Sequence, residues 1–427
     1  MKVVTKEKKG FKRTEVGVIP EDWVLGKVGE VVDMDPENLS STTNPVYNFD
    51  YVSLEDVSRG IIKSKTKIQF ADSPSRARRI LRIGDVGFGT VRPTNQSHFL
   101  INKKVSDLIC STGFAVLRPH RRDINSEYLF YLLFSDKVNQ QITQIIAGSN
   151  YPAVNSRDVK KLRIPIPPTL EEQQAIADAL SDVDELIRSL DALIQKKEAI
   201  KKGTMQQLLT PSRSGQAGNK RLSGFDGEWE VKRLGDIVIR AELGGNYSNS
   251  ETNSKHPLIK MGNLGRGRIN LDKAYYIEEG KSVSKTDKLK YGDLLFNTRN
   301  TPILVGKVAI WRNELSEAYY NSNLMKLEFD GHIVASNFFM NYLLNTDYLI
   351  EKLQSIATGT TSVAAIYTRD LFGLEISIPK GREQKAIAQI LSDMDEELQT
   401  LRQKRDKMRR VKEGMMQELL TGKTRLV

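Results

Sequence analysis

The sequence predicts an α+β protein in which one unit, a strand-rich globular domain followed by a long helix, occurs twice. The first observation is an internal repeat, because the segments that begin at Glu172 and Glu383 align without a gap at an offset of 211 residues. The second is that both segments carry apolar residues at heptad spacing. Solenoid repeats have periods of about 20–50 residues, so an offset of half the chain indicates a duplication. We therefore expect a pseudo-twofold internal repeat.

The repeat extends into the strand-rich parts, at offsets between 206 and 212 residues. The matching positions include Trp23 and Trp229, Gly60 and Gly267, Gly84-Asp85 and Gly292-Asp293, and Pro167 and Pro379. Framework positions agree, whereas the segments between them differ. This pattern indicates one fold that is used twice with two different surfaces.

The repeat divides the chain into four segments. They are residues 1–168 (first globular domain), 169–211 (first long helix), 212–380 (linker and second globular domain) and 381–427 (second long helix). In the globular domains, short β-branched and aromatic runs alternate with Gly, Pro, Asn and Ser clusters, which is typical of strands joined by turns. The apolar stretches EYLFYLLFSD from Glu127 and FFMNYLLNTD from Phe338 each predict a short buried helix.

Each long helix is predicted from an apolar seam with alternating spacings of four and three residues. The seam residues are Ile176, Leu180, Val183, Ile187 and Leu190 in the first helix, and Ile387, Leu391, Met394, Leu398 and Leu401 in the second. Thr169 and Glu172 fit a capping box, in which the hydroxyl accepts from the Glu172 amide and the glutamate reaches back to the amide of Thr169. A helix of about 40 residues is roughly 60 Å long.

Two long helices of matching length in one chain favour pairing with each other as a coiled coil. If a twofold axis relates the two copies, the helices are antiparallel, the globular domains lie at opposite ends, and the helices form a spacer of fixed length. The heptads alone leave open the alternative that each helix pairs with a partner chain.

The composition favours a nucleic-acid partner. The 427 residues include 64 Lys and Arg against 53 Asp and Glu, a net charge of +11, and such a basic excess attracts polyanions. No run of 18 apolar residues predicts a membrane span, and the N-terminal residues lack the apolar core of a secretion signal. With Cys110 as the single cysteine, an internal disulfide and a thiolate metal cluster are excluded. These features together predict a cytoplasmic protein.

The sequence shows no convincing active site. It lacks a GxxxxGK[ST] phosphate loop, and its four histidines are scattered without the spacing of metal ligands. Carboxylates on the long helices, such as Asp182 and Asp184, fit solvated flanks or partner contacts better than acid–base catalysis. We therefore expect no catalytic residue, no metal site and no cofactor bound by this chain.

Two motifs recur in the same order in both halves. One is IPIPP-x-x-EEQ at Ile164–Gln173, matched by ISIP-x-x-x-EQ at Ile376–Gln384; the other is the pair of helix ends GTMQQLLT and GMMQELLTG. With the Gly-Asp turns and the matching tryptophans, they span essentially the whole chain. This combination resembles the specificity subunit of type I restriction-modification systems, in its full-length form with two target recognition domains.

The resemblance implies that each globular domain reads one half of a split, asymmetric site in double-stranded DNA. The paired helices would set the number of unread base pairs and bind two adenine-N6 methyltransferase subunits, which translocase-nuclease subunits join for restriction. The chain itself would be non-catalytic. S-adenosylmethionine, ATP and Mg are accordingly expected on the partner subunits.

Candidate base readers lie in the polar loops that follow the two Gly-Asp turns, since Arg, Asn, Gln, Ser and Thr read base edges. They are Arg92, Asn95 and Gln96 in the first copy and Arg299 and Asn300 in the second, with Thr90 and Thr298 as further DNA contacts. Two other loops, GSNYPAVN from Gly148 and GTTSVAAI from Gly359, match in position but differ in content. Asn150 and Tyr151 in the first of them are additional candidates.

Basic residues near these loops are assigned to phosphate contacts, which set register. They are Lys63, Lys65, Arg76, Arg78 and Arg79 in the first copy and Arg266, Arg268, Lys281 and Lys285 in the second. Because Lys63, Lys65 and Lys67 alternate, they would share one face of a strand. For each candidate, an ordinary solvated surface residue is the alternative.

Two other functions compete with DNA recognition by a non-catalytic subunit. A stand-alone DNA-modifying enzyme would need a cofactor loop or an acidic metal cluster, and neither is visible. A coiled-coil scaffold would leave unexplained why the two globular domains share a framework but differ in their loops.

Overall fold

The structure, a computed structural model, describes residues 10–147, 152–210, 221–251, 254–360 and 362–426. The chain forms two compact units, which comprise residues 1–191 with 403–427 and residues 192–402. Each unit therefore contains one globular domain and a part of both long helices. The fold class predicted from the sequence, α+β with a repeated strand-rich domain and two long helices, is confirmed.

The first globular domain is built on a four-stranded sheet in the order β11-β10-β13-β4, and a second sheet has the order β8-β5-β12-β9. The strands are β1 (Phe11–Thr14), β2 (Gly17–Pro20), β3 (Val24–Lys27), β4 (Val32–Met34), β5 (Asn48–Val52), β6 (Val57–Ser58), β7 (Ile61–Ile62), β8 (Thr66–Gln69), β9 (Ala77–Ile80), β10 (Val86–Gly89), β11 (Phe99–Leu100), β12 (Leu108–Ser111), β13 (Phe114–Pro119) and β14 (Arg163–Ile166). The helices are α1 (Val28–Val31), α2 (Ser126–Leu132), α3 (Asp136–Ile146) and α4 (Ser156–Lys161), followed by the first long helix, α5 (Leu170–Leu209).

The second globular domain repeats the first sheet in the order β22-β20-β24-β16. Its strands are β15 (Glu230–Arg233), β16 (Val238–Leu243), β17 (Asn249–Ser250), β18 (Leu258–Ile259), β19 (Tyr276–Ile277), β20 (Leu294–Asn297), β21 (Arg299–Asn300), β22 (Val308–Ile310), β23 (Tyr319–Tyr320), β24 (Leu324–Phe329), β25 (Thr358–Gly359), β26 (Ala364–Ala365) and β27 (Glu375–Ile378). Its helices are α6 (Leu234–Ile237), α7 (Asn337–Leu344), α8 (Asp347–Ser355) and α9 (Thr368–Phe372), followed by the second long helix, α10 (Gly381–Leu419). Helices α2 and α7 confirm the two predicted buried helices.

The central strands of the two framework sheets are buried because apolar residues pack against both of their faces. The central strands β10 and β20 are buried along their whole length, and α2 and α7 pack beside them in the respective cores. The preceding Gly84 and Gly292 both have positive φ, 90° and 87°, a conformation that glycine adopts without strain. In each turn the side chain of the aspartate that follows the glycine accepts a hydrogen bond from the backbone amide three residues earlier in the chain. This contact fixes the start of the central strand.

Within each unit, α5 and α10 pair in antiparallel order, as predicted. The ion pairs between them are Asp184–Lys412 (2.7 Å) and Asp191–Arg405 (3.3 Å) in the first unit, and Lys197–Glu397 (2.7 Å) and Lys201–Asp395 in the second. In both units a higher residue number in α5 faces a lower number in α10. The ion pairs Asp184–Lys412 and Asp395–Lys201 are equivalent, because the repeat offset of 211 residues relates Asp184 to Asp395 and Lys201 to Lys412.

A tyrosine from each globular domain joins these two repeated ion pairs. The Tyr131 hydroxyl donates to Asp184 at 3.0 Å, and the Lys412 ammonium lies 5.4 Å from the centre of the tyrosine ring. The second unit contains the same triad, with Tyr342 donating to Asp395 at 2.7 Å and Lys201 lying 5.2 Å from the ring centre. Burial raises the pKa of both tyrosines, so each remains a donor. Each triad ties a globular domain to both long helices.

The predicted helix seam begins inside the globular cores. Ile176 and Leu180 belong to the core of the first domain, and Ile387 and Leu391 to that of the second. The far end of the opposite helix enters the same core, as Leu419 and Leu420 do in the first domain and Leu209 in the second. Further along the seam, Leu190 and Leu398 are buried, whereas Val183, Ile187, Met394 and Leu401 are half-buried.

A buried glutamine at the start of each long helix fastens the helix to its domain. Gln173 accepts from the Asn125 amide at 2.8 Å and donates to the carbonyls of Asp123 and Pro167. Gln384 makes the same three contacts in the second unit, to Ala335, Ile333 and Pro379. The EQ dipeptide of the recurring motif is therefore structural.

The capping box predicted at Thr169 forms only in part. The Glu172 amide donates to the Thr169 hydroxyl at 3.2 Å, but the Glu172 carboxylate binds the Arg425 guanidinium instead of reaching back. The prediction was wrong here because Arg425, near the other end of the chain, binds the Glu172 carboxylate. In the second unit Arg221 binds Glu383 in the same way, at 2.6 Å.

None of the helices in the described ranges combines the length and the apolar character needed to cross a bilayer.

Candidate nucleic-acid interface

The structure places the predicted base-reading loops at equivalent ends of the central strands β10 and β20. Each loop is joined to the second predicted variable loop of its own domain. In the first domain Val91 bridges Ala153, and the Arg92 amide donates to the Pro152 carbonyl at 2.7 Å. In the second domain β21, which consists of Arg299 and Asn300, pairs with β26. In each domain, the described part of the second variable loop therefore contacts the reading loop directly.

The first reading loop is held in an unusual backbone conformation. Arg92 and Gln96 have positive φ, 47° and 54°, and they flank a short 3-10 helix of Pro93–Asn95. Left-handed backbone at residues other than glycine is uncommon and costs of order 1 kcal/mol or more at each position. Arg92 and Asn95 are exposed, and within the described residues the Arg92 guanidinium has no hydrogen-bond or ion-pair partner. The loop therefore presents Arg92 and Asn95 as exposed side chains from a fixed backbone.

The second reading loop presents its side chains from a small sheet, β21-β26-β25. Arg299 is exposed, and its backbone amide donates to the Asn297 side chain at 3.2 Å. The Asn300 side-chain oxygen accepts from the Thr301 amide at 2.8 Å, which leaves the amide nitrogen of that side chain to contact a ligand. Ile303 follows as an apolar tip that is 75% exposed.

The two threonines at the bases of the loops are less accessible than the sequence suggests. The Thr90 side chain is buried and donates to the Gly113 carbonyl at 2.7 Å. The Thr298 hydroxyl donates to the Asn323 carbonyl at 3.1 Å. Both hydroxyl protons hold the loop in place, so these residues support the loops instead of donating to DNA.

Three of the predicted phosphate contacts in the first domain are already engaged. Arg79 lies 3.0 Å from Asp35 and donates to Asn38, and Lys65 forms an ion pair with Asp50. Arg78 donates to the Ala77 carbonyl, and its guanidinium lies over the ring of Phe70. The expected lysine face also fails, because β8 begins at Thr66 and only Lys67 of the three alternating lysines lies in it.

Apart from Arg266, which is half-buried, the remaining cationic candidates are accessible. Lys63, Arg76, Arg268, Lys281 and Lys285 are exposed and form no ion pair in the described part of the chain. Asn150 and Tyr151 lie outside the described residues.

Sequence analysis missed a cation that lies beside Arg266 in the second domain. Lys307 follows Gly306 at the start of the segment that leads into β22, and Gly267 pairs with Ala309 across from it. Burial lowers the pKa of Lys307, and the charge of Arg266 lowers it further. The two residues are 41 positions apart in sequence, so only the folded chain brings them together.

The described residues contain no group of three or more His, Cys, Asp or Glu side chains placed to hold a metal ion. His98 is fully buried, stacked on Phe88 with 4.4 Å between ring centres, and burial lowers its pKa to about 3. Burial raises the pKa of Cys110, so its side chain stays a protonated thiol, which is the unreactive form of cysteine. Neither residue has the exposure of a catalytic group.

Comparison with known proteins identifies the repeat. A family model described as the type I restriction modification DNA specificity domain matches residues 20–202 and again residues 226–409. The MjaX specificity subunit of Methanocaldococcus jannaschii is 28% identical over 98% of both chains. The EcoKI specificity subunit of Escherichia coli is 24% identical over 66% of this chain and 63% of its own length.

Solved structures share the fold. A chain from a study of complex assembly and conformational transition in the type I R-M system has a TM-score of 0.58 at 24% identity, covering 95% of this chain and 99% of its own. The type I restriction-modification system S subunit from M. genitalium has a TM-score of 0.58 at 14% identity, covering 97% and 98%.

Proposed function

The chain belongs to the type I restriction modification DNA specificity domain family, and from that membership we propose that it reads a split, asymmetric DNA site. Proteins of this kind are non-catalytic subunits that recognise DNA within a larger complex, and they bind no cofactor themselves. We assign one half-site to each globular domain. The observation that supports this most directly is that equivalent loops, on the same framework sheet, carry different exposed side chains.

We assign base reading to Arg92, Asn95 and Gln96 in the first domain and to Arg299 and Asn300 in the second. An arginine can bind guanine bidentately, and each such contact discriminates by about 1–3 kcal/mol against other bases. The exposed residues Lys63, Arg76, Arg268, Lys281 and Lys285 contact phosphates, which fixes register without selecting sequence. A few base contacts in each half are sufficient to select a rare site when the two halves must be read together.

The partners that complete this function are two adenine-N6 methyltransferase subunits, with translocase-nuclease subunits added for restriction. The paired helices bind the methyltransferases and set the number of base pairs between the half-sites. S-adenosylmethionine, ATP and Mg are then supplied through the partner subunits. The complex acts in the cytoplasm, because its substrate is the DNA of the cell.

The experiment is a binding assay on the complex of this chain with its methyltransferase partner, using the mapped DNA site. We expect Arg92→Ala to relax base preference in one half-site only and Arg299→Ala to relax it in the other, by roughly 5- to 100-fold per affected base. Lys281→Ala serves as the control, since loss of a phosphate contact weakens all sequences alike.

If the arginine variants lost binding affinity equally for specific and scrambled DNA, Arg92 and Arg299 would contact phosphates only. If the unaltered complex bound both DNAs equally, the specificity role itself would fail, and the scaffold alternative would replace it.

A further inference from the structure

Arg266 and Lys307 form a pair of like charges at the base of the second reading loop. The Gly267 amide donates to the Val308 carbonyl at 2.7 Å, which brings the segment that contains Arg266 beside the segment that contains Lys307. Neither cation has a carboxylate partner within the described ranges of the chain. Both side chains are partly buried, so water solvates them incompletely, and this burial lowers the pKa of each.

Two unsatisfied buried hydrogen-bond donors lie at this place, one on Arg266 and one on Asn297. Arg266 has one buried terminal nitrogen without a partner, and its other terminal nitrogen makes only a 3.4 Å contact with the Ile303 carbonyl. Asn297 is fully buried, and its side-chain nitrogen also lacks a partner. The backbone amide of Asn297 donates to the backbone carbonyl of Lys307 at 2.8 Å, so the two residues lie opposite each other on β20 and on the segment that leads into β22.

Such an arrangement is unfavourable in the free protein. A buried donor without a partner costs about 1–3 kcal/mol, and two neighbouring cations repel each other more strongly away from water. Asn341 and Asn345 lie nearby, since their side-chain nitrogens donate to the carbonyls of Gly267 and Val308. Their side-chain oxygens have no partner, but these oxygens are neutral and leave both positive charges uncompensated. An anion with several acceptor oxygens would satisfy the donors and the charges together.

We propose that Arg266, Lys307 and the Asn297 side-chain amide form an anion site that takes one phosphate of the DNA backbone in the second half-site. The proposal rests on the function proposed above. Its position favours a DNA phosphate over a free anion, because the Asn297 oxygen holds the amide of Arg299, the assigned base reader, at 3.2 Å. A phosphate in this site would fix the register of that arginine on the bases.

The first domain offers no equivalent site. Gly87 and Leu295 occupy corresponding places in the central strands, as do Gly89 and Asn297. Alignment at the paired strands places Arg59 opposite Arg266 and Ser97 opposite Lys307. Arg59 is exposed, and a serine stands at the position that corresponds to Lys307. Only the second half-site would therefore use this phosphate contact.

The test compares the unaltered complex with Arg266→Met, Lys307→Met and the double variant on the mapped site across a range of salt concentrations. We expect about tenfold weaker binding for each single variant, without a change in base preference. The salt slope of the double variant should fall by about one unit, because all three donors address one phosphate. Arg59→Met in the first domain is the matched control and should leave both affinity and slope unchanged.

Thermal unfolding of the isolated chain separates a binding role from a structural one. Because the charge of Lys307 is unfavourable in the free protein, Lys307→Met should keep or raise the melting temperature while it weakens DNA binding. A lower melting temperature, with DNA binding weakened only in proportion to the lost folded protein, would make Lys307 a structural residue and overturn the site.

Three other results also contradict the proposal. Unchanged affinity and salt slope in the double variant, while the unaltered complex still reads its site, would remove the anion site and leave the proposed function standing. If inorganic phosphate stabilised the unaltered chain but not the double variant, and DNA binding were equal, the site would serve a free anion instead. Loss of sequence preference in the unaltered complex would overturn the proposed function and the site together.

Discussion

The two globular domains share one framework sheet but differ in the sheet beside it. The first domain completes a second four-stranded sheet, β8-β5-β12-β9. In the second domain the parallel pair β18-β23 corresponds to β5-β12, but its neighbours join it through the isolated bridges Pro257–Tyr276 and Lys288–Tyr319, so the described residues do not complete a four-stranded sheet there. The reading loops follow the same division, since they leave the shared sheet at equivalent points and then diverge. Residues that determine the fold are thus repeated, whereas the loop residues that we assign to DNA contacts differ between the domains.

The repeated residues include contacts that the sequence cannot reveal alone. The Gln173 and Gln384 clamps, the two tyrosine–aspartate–lysine triads and the two arginines that bind Glu172 and Glu383 occur once in each unit. All of them join a globular domain to the long helices. We infer that the repeat preserves the attachment of each domain to the helix pair.

The largest effect on stability is expected from Gln173 and Gln384, the buried glutamines that fasten each long helix to its domain. Gln173→Leu and Gln384→Leu each remove the side-chain partner of three backbone groups, one buried and two half-buried, so each should lower the free energy of unfolding of its own unit by about 2–4 kcal/mol. Chemical denaturation, followed by hydrogen exchange to assign the affected unit, measures both values. Gln389→Leu is the control: its amide binds Asp393 at 2.7 Å on the exposed side of α10, so its effect should stay within about 0.5 kcal/mol. A clamp that matters in only one unit would contradict the shared attachment.

A smaller effect is expected from a buried residue that distinguishes the domains. His98 packs on Phe88, and register places Val308 at the equivalent position opposite Phe296. Burial lowers the His98 pKa from 6.5 to about 3 in the folded chain. The unfolded chain therefore binds a proton below about pH 6.5 that the folded chain does not, so stability falls as the pH drops from 6.5 towards 3. At pH 5 the loss amounts to about 2 kcal/mol.

His98→Val should abolish this part of the acid sensitivity, while any loss of packing would be the same at every pH. The measurement is the difference in unfolding free energy between the unaltered chain and the variant at pH 7.5 and pH 5. The matched variant Val308→Ile in the second domain should leave the pH dependence unchanged. If the difference between the unaltered chain and His98→Val did not depend on pH, His98 would not be the titrating group.

Sequence analysis predicts the fold more completely than the interface, and the reason is physical. The heptad seams and the apolar strands are local patterns, so helices α5 and α10 and the buried helices α2 and α7 follow from them directly. The capping box failed at Glu172 because Arg425 binds it from 253 residues away. Arg79 and Lys65 are assigned to phosphates by residue type, but the fold places Asp35 and Asp50 against them. Lys307 was missed because no local pattern places it beside Arg266.

Methylation mapping of host DNA at single-molecule resolution, with and without this gene and with the methyltransferase partner left intact, tests the central claim most directly. The account predicts that one split, asymmetric N6-methyladenine motif disappears when the gene is removed, which would also give both half-sites and their spacing. A methylation pattern that stays unchanged, with the chain shown to be expressed, would contradict its role as the specificity subunit. A palindromic motif would contradict the assignment of different half-sites to the two domains.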